Sequence, residues 1–311
     1  MRRFPVVLAS LVTGLVTFTA PATAAPEQPE LPVVYNALAA ISHATLNPGA
    51  APPGANDWSC EPSEEHPNPV VLVHGTLANM TVNWHTLAPL LKNNGYCVFA
   101  LNFGQEQGAL RVGFPGAYPP GGTGPVEGSA AELDAFVDRV LEETDAEEVD
   151  IVGHSQGGMM PRHYLKNLGG ADEVGKLIGL SPSNHGTTVL GLATLPGAAD
   201  LLGLTLGDAL RQQIRGSEFL TGLNEGGDTV PGVEYTVIQG RYDEVVTPYT
   251  SSYLDGPDVD NIVLQDDCGL DLSDHLAVAF SSRALRYVLN ALDPEDAVTP
   301  PCRPVLPGVG G

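Results

Sequence analysis

The sequence predicts the α/β class, with a mainly parallel sheet carrying helices on both faces. Two observations predict it. Short, continuous apolar runs such as Val70–His74 have the character of strands buried on both faces, and they alternate along the chain with longer stretches of helical periodicity. A third feature organises the rest: Val149–Gly158 reads V-D-I-V-G-H-S-Q-G-G, a strand pattern running directly into a serine flanked by glycines.

That stretch fits the G-x-S-x-G nucleophile elbow. A serine on a very tight strand-to-helix turn is crowded by the residues two positions away. Glycines at 153 and 157 let the turn close and lift the Ser155 hydroxyl clear of the sheet. The helix that follows points its N-terminal amides at the place where an oxyanion would form. The bare pattern also occurs in unrelated chains; the strand before it and the helical residues after it are what make it specific here.

The 311-residue chain opens with what reads as a secretion signal over residues 1–25: Arg2 and Arg3, an apolar stretch Val6–Phe18, and the small-residue site Ala22-Thr23-Ala24. Phe4 directly after the arginines makes a poor twin-arginine motif, so general secretion is the expectation. The apolar stretch is short for a membrane span and no second uncharged run of spanning length follows, so no stable membrane anchor is expected. Residues 26–69 are expected to form an N-terminal helix-and-loop extension. A helix over Val33–Leu46 stops at Asn47-Pro48-Gly49, and Pro, Gly, Asn and Glu dominate the remainder.

Residues 70–311 are expected to form the α/β domain, with the sheet shortened at its N-terminal side because no strand pattern precedes Val70. After the first strand come a helix near Val82–Asn94, a strand over Tyr96–Leu101, and a Gly/Pro-rich loop over Asn102–Val126. That loop is too long for a simple connector and is a candidate rim of a binding cleft. Ala130–Thr144 is amphipathic, with Leu133, Phe136, Val137, Val140 and Leu141 on one face. The helix Gln156–Leu168 follows the elbow and should kink at Pro161. Strands over Lys176–Ser181, Tyr235–Gln239 and Asn261–Gln265 and a long helix over Leu276–Leu292 complete the pattern. Between them, the leucine- and glycine-rich stretch Thr187–Gly232 is either an ordinary helical excursion packed on the core or a cap whose apolar inner face lines an acyl-binding cleft.

A formal charge of −23 argues against nucleic acid and anionic membrane surfaces as partners, leaving apolar contact as the route to lipid. Four cysteines, an even number, suit an oxidising compartment. Of their three pairings, Cys60–Cys97 and Cys268–Cys302 are preferred. Cys97 lies in a strand expected beside the one that follows Cys60, while Cys268 follows the last strand and Cys302 the last helix. Each bridge would stabilise by roughly 3–4 kcal/mol on the loop-entropy model. No Cys-x-x-Cys spacing suggests zinc and no loop signature suggests calcium, so no metal is expected.

A serine hydroxyl needs a base, and the base needs an orienting acid. In the chain order Ser, acid, His, His275 is the only one of the eight histidines lying after every plausible acid. A lone loop histidine is more often merely solvated, but this one sits just before the last helix, where a loop can swing it over the C-terminal edge of the sheet. The acid should follow a strand beyond the cap stretch. Asp243 does so, with Glu244, Asp266 and Asp267 as alternatives; Asp274 adjoins His275 and can rarely reach Nδ1 of its own neighbour. Oxyanion stabilisation requires two preorganised amides: Gln156 N–H, and Thr76 N–H in the turn after His74-Gly75, whose hydroxyl could add a third donor. The alternative for His74-Gly75 is a tight turn only.

These stretches, V-L-V-H-G-T at Val71–Thr76, G-H-S-Q-G-G at Gly153–Gly158, R-Y-D-E-V-V-T-P at Arg241–Pro248 and Asp274-His275, resemble the secreted α/β-hydrolase lipases of actinobacterial type and, more distantly, fungal lipase B enzymes. The resemblance implies an α/β-hydrolase fold and cofactor-free triacylglycerol lipase or carboxylesterase activity at a lipid–water interface. It supports Ser155, Asp243 and His275 as the triad and Thr76 and Gln156 as oxyanion donors. A monomer acting on lipid or ester is the expectation. A polyester hydrolase or a cell-envelope acyltransferase would use the same triad, and a lipid-binding module on the same fold is the alternative from a different class.

Overall fold

The computed structural model describes residues 29–105, 119–188 and 206–311. The expected signal at 1–25, most of the rim loop, and Leu190, Leu192, Leu195, Leu201, Leu202 and Leu204 of the expected cap lie outside the described residues. Leu31–Gly311 form one contact unit.

Its centre is a six-stranded sheet: β1 (Val70–Val73), β2 (Val98–Leu101), β3 (Val149–His154), β4 (Val174–Leu180), β5 (Glu234–Gln239) and β6 (Val259–Val263), in the order β2-β1-β3-β4-β5-β6. Every neighbouring pair is parallel. Alternate residues serve opposite faces. Val71, Val73, Phe99, Leu101, Ile151 and Val237 join one core with helix Val126–Thr144. Val70, Leu72, Val98, Ala100, Val152 and Ile238 join the other with Leu87, Leu91 and the helix Ser282–Leu292. Burial on both faces explains why these strands read as unbroken apolar runs rather than as alternating ones. Among the described residues Val70–Val73 is the first strand of the sheet.

Several helices depart from the expected boundaries, each for a local reason. The helix expected over Val82–Asn94 is two, Met80–Asn83 and Leu87–Asn93. Pro89 would collide with the carbonyl four residues earlier in one continuous helix, but it fits the first turn of a new one. The helix expected over Leu276–Leu292 is a 3₁₀ turn, Ala277–Phe280, followed by helix Ser282–Leu292. Ser281 separates them in an extended conformation, its hydroxyl accepting from Ala284 N–H as an N-cap. The elbow helix divides at the expected kink into Gln156–Met159 and Pro161–Asn167. The last strand sits two residues earlier than expected, paired Tyr235 to Val259, and Leu264–Asp267 turns helical.

Two disulfides join Cys60 to Cys97 and Cys268 to Cys302. The first ties the loop before β1 to the start of β2; the second ties the residues after β6 to the C-terminal segment. Among the described residues no helix is long and apolar enough to cross a membrane.

The helix that follows the elbow is tied to the end of the stretch Thr187–Gly232 by a buried cation. Arg162, fully enclosed, donates from Nε to the carbonyl of Asp228 at 3.0 Å and from Nη2 to Asn224 Oδ1 at 2.7 Å, and it lies 3.4 Å from the Asp228 carboxylate. Removing one partner of a buried ion pair leaves the other charge uncompensated. Arg162→Met should therefore lower the unfolding free energy in urea by about 3 kcal/mol; a loss well below 1 kcal/mol would show that the network does not hold the helix.

Candidate active site

The site assembles beyond the C-terminal ends of four strands, β1, β3, β5 and β6. β3 delivers Ser155, whose backbone stands at φ 55°, ψ −122°, a conformation that costs a non-glycine residue free energy and persists only when the surroundings enforce it. The surroundings here are backbone. A Cβ on Gly153 would lie 1.9 Å from the carbonyl oxygen of Gly157, and one on Gly157 would lie 2.0 Å from that of Val73. The elbow thus nests against the end of β1, and only glycine fits at both positions.

The loop after β1 packs as closely. A Cβ on Gly75 would sit 3.1 Å from Ser155 Cβ, so glycine lets the loop that carries Thr76 run beside the serine. In that loop the amides of Gly75, Leu77 and Ala78 are bonded to Asn83 Oδ1, Gly121 O and Gly75 O. The Thr76 amide has no such partner among the described residues, and Gln156 N–H opens a helix, where the first amides are unsatisfied by the helix itself. The Thr76 hydroxyl corrects an expectation. It donates to Gln156 Oε1 at 2.7 Å and accepts from Gln213 Nε2 at 2.8 Å, so its proton faces the Gln156 side chain rather than standing as a free third donor. Gln213, buried at the end of helix Asp208–Gln212, also accepts from the Ser183 hydroxyl at 2.9 Å. No local motif marks Gln213; only the tertiary fold brings it to the loop.

β5 delivers Asp243. Its Oδ1 accepts from the amides of Val245 at 2.9 Å and Val246 at 2.7 Å, and its Oδ2 from Gln239 Nε2 at 3.1 Å and His275 Nδ1 at 2.8 Å. The rival acids are otherwise engaged. Glu244 Oε2 accepts from the His275 amide at 3.2 Å, Asp266 pairs with Arg241, Asp267 lies 3.8 Å from Arg283, and Asp274 Oδ1 accepts from Ala277 N–H at 2.8 Å.

His275 is held on every side. Its carbonyl lies 2.9 Å from His154 Nε2. Burial pushes the His154 imidazole down to about 3, so that ring stays neutral and donates this bond. The loop carrying His275 is clamped by the buried Asp271, which accepts from Ser273 N–H at 2.9 Å and from the Ser281 hydroxyl at 2.8 Å. Ser155, His275, Gly75 and Thr76 line one cavity.

The charges fix the working states. Burial alone would lower the His275 imidazole, but Asp243, through charge and hydrogen bond, outweighs it with help from Glu244 and Asp274, and the net displacement is above the ordinary 6.5. Burial alone would raise the Asp243 carboxyl; His275, the Val246 amide and Gln239 hold it below its ordinary value. Asp243 is therefore ionised wherever His275 titrates, and it fixes the tautomer with Nδ1 protonated and Nε2 free to accept a proton. An NMR titration should find His275 titrating above 6.5 in the wild type and at lower pH in Asp243→Asn. An unchanged titration in that variant would mean that the pair does not set the histidine's state.

The fold and residues find relatives. The family model for class 2 lipases matches residues 67–280, from just before β1 to the turn after His275. Triacylglycerol lipases of Pseudarthrobacter phenanthrenivorans and Burkholderia plantarii are each 33% identical to this chain over 100 residues, which is 30% of this chain. The matched region spans 27% and 24% of those two proteins, about a quarter of their length. Among solved structures, Aspergillus fumigatus lipase B aligns with TM-score 0.57 and 20% identity over 81% of this chain and 60% of its own. Mature Bacillus licheniformis lipase BlEst2 aligns with TM-score 0.54 and 18% identity over 78% of this chain and 96% of its own. These two likenesses establish the fold as that of the α/β-hydrolase lipases. With its parallel sheet and the family match running from residue 67 to residue 280, the chain belongs to the class 2 lipase family.

Proposed function

We propose that the protein is a secreted lipase or carboxylesterase that hydrolyses acyl esters, triacylglycerols among them, through Ser155, His275 and Asp243. The observation that carries the proposal is the 2.8 Å contact of His275 Nδ1 with a buried, four-fold hydrogen-bonded Asp243, on a histidine that shares one cavity with a strained, glycine-flanked serine. A carboxylate locked in this way orients the imidazole and stabilises its cation without itself taking the proton.

In this mechanism His275 Nε2 takes the Ser155 proton as Oγ attacks the ester carbonyl. The amides of Gln156 and Thr76 bind the developing oxyanion. The C–O bond to the alcohol then breaks as His275 returns its proton to the leaving oxygen, and water, activated by the same base, hydrolyses the acyl-enzyme. Membership of the class 2 lipase family and the names of the matched triacylglycerol lipases support the substrate class. Two disulfides support secretion, because such bonds persist mainly outside the reducing cytosol. The charge of −23 favours uncharged esters over anionic ones. Gln213, reaching from the described part of Thr187–Gly232 to the oxyanion loop, supports that stretch as a cap coupled to the site.

Ser155→Ala should retain the fold, judged by its circular dichroism, and lose on the order of 10³ or more of the wild-type rate on a p-nitrophenyl ester; a variant with most of that rate would remove Ser155 from the mechanism. The working base is neutral His275. kcat/KM should therefore rise with pH through the folded histidine's pKa, with its midpoint displaced above 6.5.

A further inference from the structure

The cavity at Ser155 is lined mostly by apolar side chains. Beyond Ser155, His275 and the Thr76 loop, the polar side chains of Asn83 and His154 line it, and the rest of its walls are aliphatic or aromatic: Ala37 and Ile41 of the N-terminal helix Ala37–Leu46, Val82 after β1, and Leu276, Ala279 and Phe280 after His275. Among the described residues no carboxylate, lysine or arginine lines it, and the one further histidine, His154, is kept neutral by burial. Such walls reward an uncharged aliphatic chain and nothing ionic. The cavity measures about 30 Å³, room for about one water molecule, so an extended chain enters only where a wall yields.

The walls differ in how they can yield. Ala279 and Phe280 are buried in the core cluster. The helix Ala37–Leu46 is held at its start. The Asn36 side chain caps it, the Ala37 amide donates to Val309 O at 2.7 Å, and the Thr86 hydroxyl donates to Val34 O at 2.6 Å. Its inward residues Ala37, Ala40 and Ala44 end in single methyl groups that have no alternative rotamer. Ile41, one turn beyond Ala37, is only partly buried and is the one longer side chain that the helix contributes to the cavity wall.

We infer that this cavity seats an aliphatic chain of the ester substrate and that Ile41 sets the length of chain it accepts. The inference rests on the proposed role of Ser155 and adds a length-determining residue on an element outside the β-strand loops that carry the triad. The chain can belong to the acyl or to the alcohol half of the ester, and two substrate series separate them: p-nitrophenyl acetate, butyrate and octanoate for the acyl side, and methyl, butyl and octyl acetate for the alcohol side.

The octyl-to-shortest ratio of kcat/KM is the readout. In one of the two series, Ile41→Ala should raise it about tenfold and Ile41→Trp should lower it by a similar factor, the scale on which apolar pockets discriminate chain length. Ala279→Leu, which adds bulk at another residue of the lining, should act in the direction of Ile41→Trp, and keeps the test decisive if the tryptophan variant does not fold. Ratios within twofold of wild type in both series, in folded variants, would overturn the inference and leave the triad standing. A wild-type protein inert on every ester in both series would instead overturn the underlying function, and the inference with it.

Discussion

The structure depends on one steric constraint: the turn after β3 must close against the end of β1. With Val73 O 2.0 Å from where a Cβ of Gly157 would stand, these two backbones leave no room for a side chain. That contact enforces the strained conformation of Ser155 and goes with the close approach of the Gly75-Thr76 loop beside it. The parallel pairing of β1 with β3, Val73 opposite Gly153, determines that the two meet at the same height. A one-residue slip would reverse the side-chain directions and take the serine away from the Thr76 loop.

From that point the remaining groups are placed by strand order. β5 and β6 lie beyond β4 on the far side of β3, and their C-terminal loops bring Asp243 and His275 to the same edge as Ser155. Asp243 is fixed by backbone amides two and three residues on, a local turn that the Asp243–Val246 sequence can form by itself. The histidine depends on distant help: His154 on its carbonyl, Glu244 on its amide, and Asp271 bracing the loop through Ser273 and Ser281. Local chemistry thus orients Asp243, while tertiary chemistry orients His275.

This division marks what could be read from sequence. The parallel sheet was legible because strands buried on both faces have an apolar signature. Ser155, Asp243 and His275 stood out because an elbow needs glycines at fixed offsets and its partners follow in a fixed order. Helix ends were less legible: Pro89 and Ser281 carry the signals that split two expected helices, but each is a single residue inside a longer apolar pattern. The Gln213–Thr76–Gln156 relay and the approach of Ala37–Leu46 to the serine were not legible at all. They join residues far apart in the chain, and no periodicity or motif records such contacts.

The account makes the reactivity of Ser155 its central claim, and covalent labelling tests that most directly. A fluorophosphonate probe followed by intact-mass measurement and peptide mapping should yield one adduct per chain, located on Ser155 and formed far more slowly in His275→Ala. The absence of an adduct, or an adduct on another serine with Ser155 unmodified, would contradict the account.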